Sequence, residues 1–137
     1  MERYGESQHL QYMSENTVYT KAQLDATGEF TISIPMDKII PAIAKVCGTQ
    51  SGRDVDKEKA AHLTLENPEV INVPGIKEYP LTLECKILYS QKQELEKIPA
   101  DIREQMYPQD VDGTYFMANQ DAHTAYIGEI VDAYIIK

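Results

Sequence analysis

Between Cys47 and Lys57 the chain reads Cys47-Gly48-Thr49-Gln50-Ser51-Gly52-Arg53-Asp54-Val55-Asp56-Lys57, a run that mixes small, hydroxyl-bearing and basic residues. Two glycines let the backbone approach a ligand closely. Thr49 and Ser51 offer hydroxyls, while Arg53 and Lys57 offer charge-assisted hydrogen bonds to an oxyanion such as a phosphate. Asp56 stands where it can cap a following helix, whose first N–H groups would add donors. The same residues also make an ordinary solvated connection in which Arg53 pairs with Asp54 or Asp56, since Gly, Ser and Asp are common turn residues. Both readings stand at the level of the sequence.

Other reactive residue types are scattered. His9, His62 and His123 lie far apart with no short-spaced Cys or carboxylate around them, so no metal site is expected. His62 reads as a helix-surface residue. Glu84 and Glu129 fall inside alternating patterns, where solvent-facing sheet positions account for them more simply than an acid–base pair. Ser51 and Ser90 lack a G-x-S-x-G setting, which leaves acyl transfer without support.

The chain has 137 residues, enough for one domain, with 13 basic against 22 acidic side chains and a net charge of −9. That balance disfavours nucleic acid as a partner, because non-specific binding depends on Lys and Arg neutralising phosphates. Any anionic ligand must be held by a few local donors against an unfavourable overall field. No stretch approaches the ~20 apolar residues of a membrane span, and the first residues lack the basic and apolar regions of a secretory signal. A soluble, cytoplasmic protein with no membrane partner is expected. Cys47 and Cys85 each sit in apolar patterns and are expected to be reduced, buried core residues.

The elements that must position these residues follow from patterning. Residues 1–16 read as an extended or loosely ordered arm with Leu10, Tyr12 and Met13 as anchors, and residues 17–137 as the folded domain. Thr20 to Gln23 matches a capping box and Gly28 supplies a helix stop, giving a two-turn helix. Glu29 to Ile34 alternates as a half-buried strand. A second helix is expected from an Asp37 cap through Val46, with a stripe of Ile39, Ile40, Ile43, Ala44 and Val46. A third is expected from Lys57 to about Leu63. Thr64 to Pro80 reads as short extended pieces joined by turns, Leu81 to Ile87 as a second strand, and Ala100 to Met106 as a short helix. Asp110 to Gly113 reads as a turn, and Ala125 to Ile136 as one or two closing strands around Gly128. Strands with irregularly inserted helices predict a mainly antiparallel α+β domain.

Four pieces in order resemble one family. Gly28-Glu29-Phe30-Thr31, then Cys47-Gly48 leading into Ser51-Gly52-Arg53-Asp54-Val55-Asp56-Lys57, then Leu83-Glu84-Cys85, then Tyr126-Ile127-Gly128-Glu129-Ile130-Val131 are similar to the flavin reductase-like, flavoredoxin-type family. The resemblance runs from about Val18 to Lys137. Pro99 to Arg103 followed by Tyr107-Pro108 also resembles an insertion of that branch. The resemblance implies an α+β, mainly β fold, an FMN-binding split β-barrel with inserted short helices. It further implies a homodimer that binds FMN near the subunit interface and passes electrons from NAD(P)H or a redox partner through flavin. Carried over by position, Thr49, Ser51, Gly52, Arg53 and Lys57 would form the phosphate side of the cofactor site, and His123 would be the catalytic residue beside the flavin or nicotinamide. Family members ordinarily begin with further barrel strands, and only Met1 to Thr17 precede the shared region here. The expectation is therefore an N-terminally truncated barrel, which either binds flavin with a partner's help or survives as a cofactor-free dimerisation module.

Overall fold

The computed structural model describes residues 2–4, 7–15, 19–49, 55–110, 112–114 and 122–137. Its centre is a five-stranded antiparallel sheet in the order β1-β2-β7-β6-β3, formed by β1 Glu2–Tyr4, β2 Ser7–Glu15, β3 Glu29–Ile34, β6 Leu81–Lys92 and β7 His123–Ile135. A small ribbon pairs β4 Leu65–Glu66 with β5 Gly75–Ile76. Among the described residues four α-helices accompany the sheet: α1 Tyr19–Thr27, α2 Pro41–Thr49, α3 Lys57–Ala60 and α4 Ala100–Met106.

Local chemistry sets most boundaries. Gly28, at φ 68°, ends α1 in the left-handed region, its N–H donating to the Leu24 carbonyl. The helix begins at Tyr19, so Thr20 lies inside it instead of capping it. α2 does not start after Asp37: Ile40 accepts the first helical bonds, from the N–H groups of Ile43 and Ala44, and Pro41 opens the helix. A proline disfavours helical geometry in the residue before it and suits the first helical position, which moves the start to Pro41; the helix then runs past Val46 to Thr49. The expected stripe is only partly inside, with Ile43 buried and Ile39 63% exposed. Asp56 caps α3 by accepting from the Lys59 N–H, but the helix stops after one turn, and His62 follows it at φ 54° instead of lying on its surface.

The core lies on one face of the sheet, where Leu24, Phe30, Cys85 and Tyr126 form a buried cluster packed by Leu10, Tyr12, Leu83 and Ile130. Residues 7–15, read from sequence as an arm, form β2, which pairs with β7 from His9 opposite Glu129 to Glu15 opposite His123. Leu10 and Tyr12 thereby reach the core, with the Tyr12 and Phe30 rings 6.2 Å apart. Tyr126 ties the sheet to α1: its hydroxyl donates to Asp25 at 2.8 Å, and Lys21 donates to the other carboxylate oxygen. The Lys21 bond first, and the Tyr126 bond second, hold the Asp25 carboxyl below its ordinary range.

Candidate functional site

Of the residues expected to hold phosphate, Ser51, Gly52 and Arg53 lie outside the described residues, and Thr49 is described only as the last residue of α2. Lys57 is placed. Its Nζ donates to the Cys47 carbonyl at 3.1 Å, so the ammonium ties the start of α3 to the last turn of α2. An ammonium has three donors and one is used here. The expected N–H donors of α3 are less favourable, since the helix has one turn and the Asp56 carboxylate already occupies its start. Among the described residues of this region, Lys57 keeps donors that the capped start of α3 does not.

His123 opens β7, half-buried. Tyr107, just past α4, meets its Nδ1 at 3.2 Å, with the two rings edge-on and centroids 6.0 Å apart. Gln93 grips the same residue through the backbone: the Gln93 N–H donates to the His123 carbonyl at 2.7 Å, and the His123 N–H donates to Gln93 Oε1 at 3.1 Å. Tyr107 thus meets the imidazole, while Gln93 holds the backbone that carries it. Lys57 turns to α2 while His123 turns to Tyr107 and Gln93, so the two expected site residues occupy separate local settings.

Glu84 departs from its reading as a solvent-facing sheet residue: it is fully buried. On the sheet face opposite the core it accepts three consecutive backbone N–H groups, those of Glu69 at 2.8 Å, Val70 at 2.8 Å and Ile71 at 2.9 Å. Glu29 continues the row by accepting from Asn72 at 2.9 Å, and Thr31 donates to the Val73 carbonyl at 2.7 Å. Residues 69–73 are thereby strapped across β3 and β6. Burial pushes the Glu84 carboxyl up, but the row of backbone donors outweighs it and holds the group at about 2. The buried Tyr134 hydroxyl meets no strict hydrogen-bond geometry among the described residues but lies close enough to Glu84 to interact with it; burial first, and that approach to the Glu84 carboxylate second, push it up. No periodicity marks this strap in the sequence, because the donors come from a loop whose position depends on the sheet.

The cysteines divide. Cys85 is buried and free, and burial pushes its thiol up to about 11, whereas Cys47 is exposed at the end of α2, contrary to the expectation that both are buried. Among the described residues no three His, Cys, Asp or Glu side chains are grouped to hold a metal ion, and no helix is long and apolar enough to cross a membrane.

A family model described as flavin reductase like domain matches residues 13–137. An uncharacterized protein of Archaeoglobus fulgidus is 33% identical over 70 residues, 51% of this chain and 39% of that protein. Among solved structures, flavoredoxin of Desulfovibrio vulgaris (Miyazaki F) aligns with a TM-score of 0.64 at 23% identity, over 94% of this chain and 54% of its own. A putative flavin reductase with split barrel domain from Shewanella frigidimarina gives 0.64 at 17% identity, over 100% of this chain and 56% of its own. The chain spans about half the length of these two structures and less of the Archaeoglobus protein. With an α+β, mainly β fold of the split-barrel type and a match running through residues 13–137, the chain belongs to the flavin reductase-like domain family.

Proposed function

We propose that the protein is a cytoplasmic FMN-binding oxidoreductase or electron carrier, acting as a homodimer and taking electrons from NAD(P)H or a redox partner. The observation that carries this reading is the family match over residues 13–137. In it, Lys57 and Arg53 hold the flavin phosphate, with Thr49, Ser51 and Gly52 lining the same loop. Lys57 suits the role because its ammonium is anchored at the Cys47 carbonyl with donors to spare. His123, its ring set by Tyr107, stands beside the reacting rings and can hold or release a proton there. When bound, the flavin supplies the hydride and electron chemistry, and the protein positions it.

The test is reconstitution with FMN followed by mixing with NADH or NADPH. Retention of flavin absorbance through gel filtration, then bleaching by one nicotinamide, is the expected result. A colourless protein that recovers no flavin would move the reading to a cofactor-free dimerisation module. One observation favours that second reading: the Asp56 carboxylate sits at the start of α3, where a phosphate would otherwise draw on helix N–H groups.

A further inference from the structure

β6 is longer than one of its two neighbours. On one edge it pairs with β7 as far as Lys92, opposite Thr124. On the other edge β3 accompanies it only from Leu81 to Lys86, and the backbone bonds of that side end with the Ile87 N–H donating to the Gly28 carbonyl. Among the described residues no strand pairs with that edge of residues 88–92, which are exposed throughout. Alternation decides which groups face it, because antiparallel strands exchange hydrogen bonds at every second pair. The Gln93 N–H donates to the His123 carbonyl, so Gln91, two residues back and opposite Ala125, also turns its N–H and C=O to β7. Ser90 and Lys92 turn theirs to the open side, where neither has a hydrogen bond among the described residues. The bulge between Ile87 and Tyr89 makes the switch, and it leaves Leu88 54% exposed.

We propose that a second copy of the chain joins the sheet at this edge, its β6 lying antiparallel to the first about a two-fold axis at Ser90. The inference rests on the homodimer of the proposed function and names its contact. Charge selects the register, since like charges directly opposite each other are unfavourable. An axis at Lys92 sets two ammonium groups against each other, and an axis at Gln91 lays the Glu94 carboxylate on Leu88 of the second copy. With the axis at Ser90, the Lys92 stem crosses Leu88 of the second copy and Glu94 comes level with its Lys86, so opposite signs meet at both ends of the contact. Two chains of net charge −9 repel at a distance, and this edge reverses the repulsion locally. The Ser90 N–H and C=O groups then bond each other across the axis, and those of Lys92 continue the ladder.

The experiment is residue-resolved amide hydrogen exchange on the full chain, run with light scattering to fix the oligomeric state. In the dimer the Ser90 and Lys92 amides should exchange slowly, and on dilution to monomer they should become fast. Gln91 and Gln93, bonded to β7, should stay slow in both. Leu88→Lys, an exposed change, sets a lysine opposite Lys92 at both ends of the contact and should weaken the dimer about tenfold, whereas Leu88→Glu should leave it as tight or tighter. A dimer in which Ser90 and Lys92 exchange at the rate of unprotected amides overturns the inference and leaves the homodimer reading standing. Equal effects of the two Leu88 variants do the same. A chain that stays monomeric overturns both.

Discussion

Gly128 on β7 runs against the ring of Phe30 on β3: a Cβ on the glycine would stand 2.6 Å from Phe30 Cζ and 2.7 Å from Cε1, with the Cys85 Cβ at 3.3 Å. A glycine inside a strand ordinarily weakens it, so alanine would stabilise the position if space allowed. Here the ring fills that space. Gly128→Ala is expected to lower stability by about 1–3 kcal/mol, the usual range for overpacking. Urea unfolding checks this, and Phe30→Leu in the same chain should recover part of the loss. An unchanged midpoint for Gly128→Ala would show that the ring gives way freely.

The Glu84 strap makes a prediction about pH. The carboxyl sits at about 2 in the folded protein against an ordinary 4.5, so its contribution is present above pH 4.5 and is lost as pH falls towards 2. From the shift, that contribution is on the order of 3 kcal/mol. Glu84→Gln keeps the shape, loses the charge and turns an amide donor towards backbone donors. It should cost about 1.5–3 kcal/mol at neutral pH and little near pH 2. Denaturant curves for both proteins across this range supply the measurement; parallel curves at every pH would rule out the charged strap.

Thiol chemistry separates the cysteines. Cys47 is exposed and Cys85 is buried with its thiol held up near 11. A bulky disulfide reagent should label one thiol rapidly in the native protein and the second only on unfolding. Loss of the fast phase in Cys47→Ser, and only of that phase, identifies the reactive site.

Flavin affinity should depend on Arg53 through the phosphate alone. Arg53→Ala is expected to weaken FMN by about 1.5–3 kcal/mol, on the order of ten- to a hundredfold in Kd, and to leave riboflavin nearly unaffected. Equal losses for both flavins would place the phosphate elsewhere.

Among the described residues β1 and β3 are the end strands of the sheet, and Leu88 and Tyr89 on β6 are each 54% exposed. End strands and exposed apolar side chains are the features that a second copy of the chain would cover. Light scattering should give about twice 15.5 kDa at micromolar concentration. A stable monomer would count against the dimer.

The sequence by itself determined the elements whose causes are local. Alternation in Glu29–Ile34 and the short helix Ala100–Met106 reappear with the expected bounds, Gly28 ends α1, and Asp56 caps α3. Each depends on residues within a turn or two, so patterning is enough. Four ordered motifs also carried the family resemblance that the match over 13–137 bears out. Tertiary structure decided the rest. β6 runs on to Lys92 through polar Ser90 and Gln91 because these residues pair with Tyr126 and Ala125, and pairing, not side-chain pattern, holds that end of the strand. β2 is a sheet strand because β7 offers its edge. Glu84, polar in an alternating strand, reads as exposed until the loop at residues 69–71 brings it three N–H groups, and only a chain already folded back on itself can supply them.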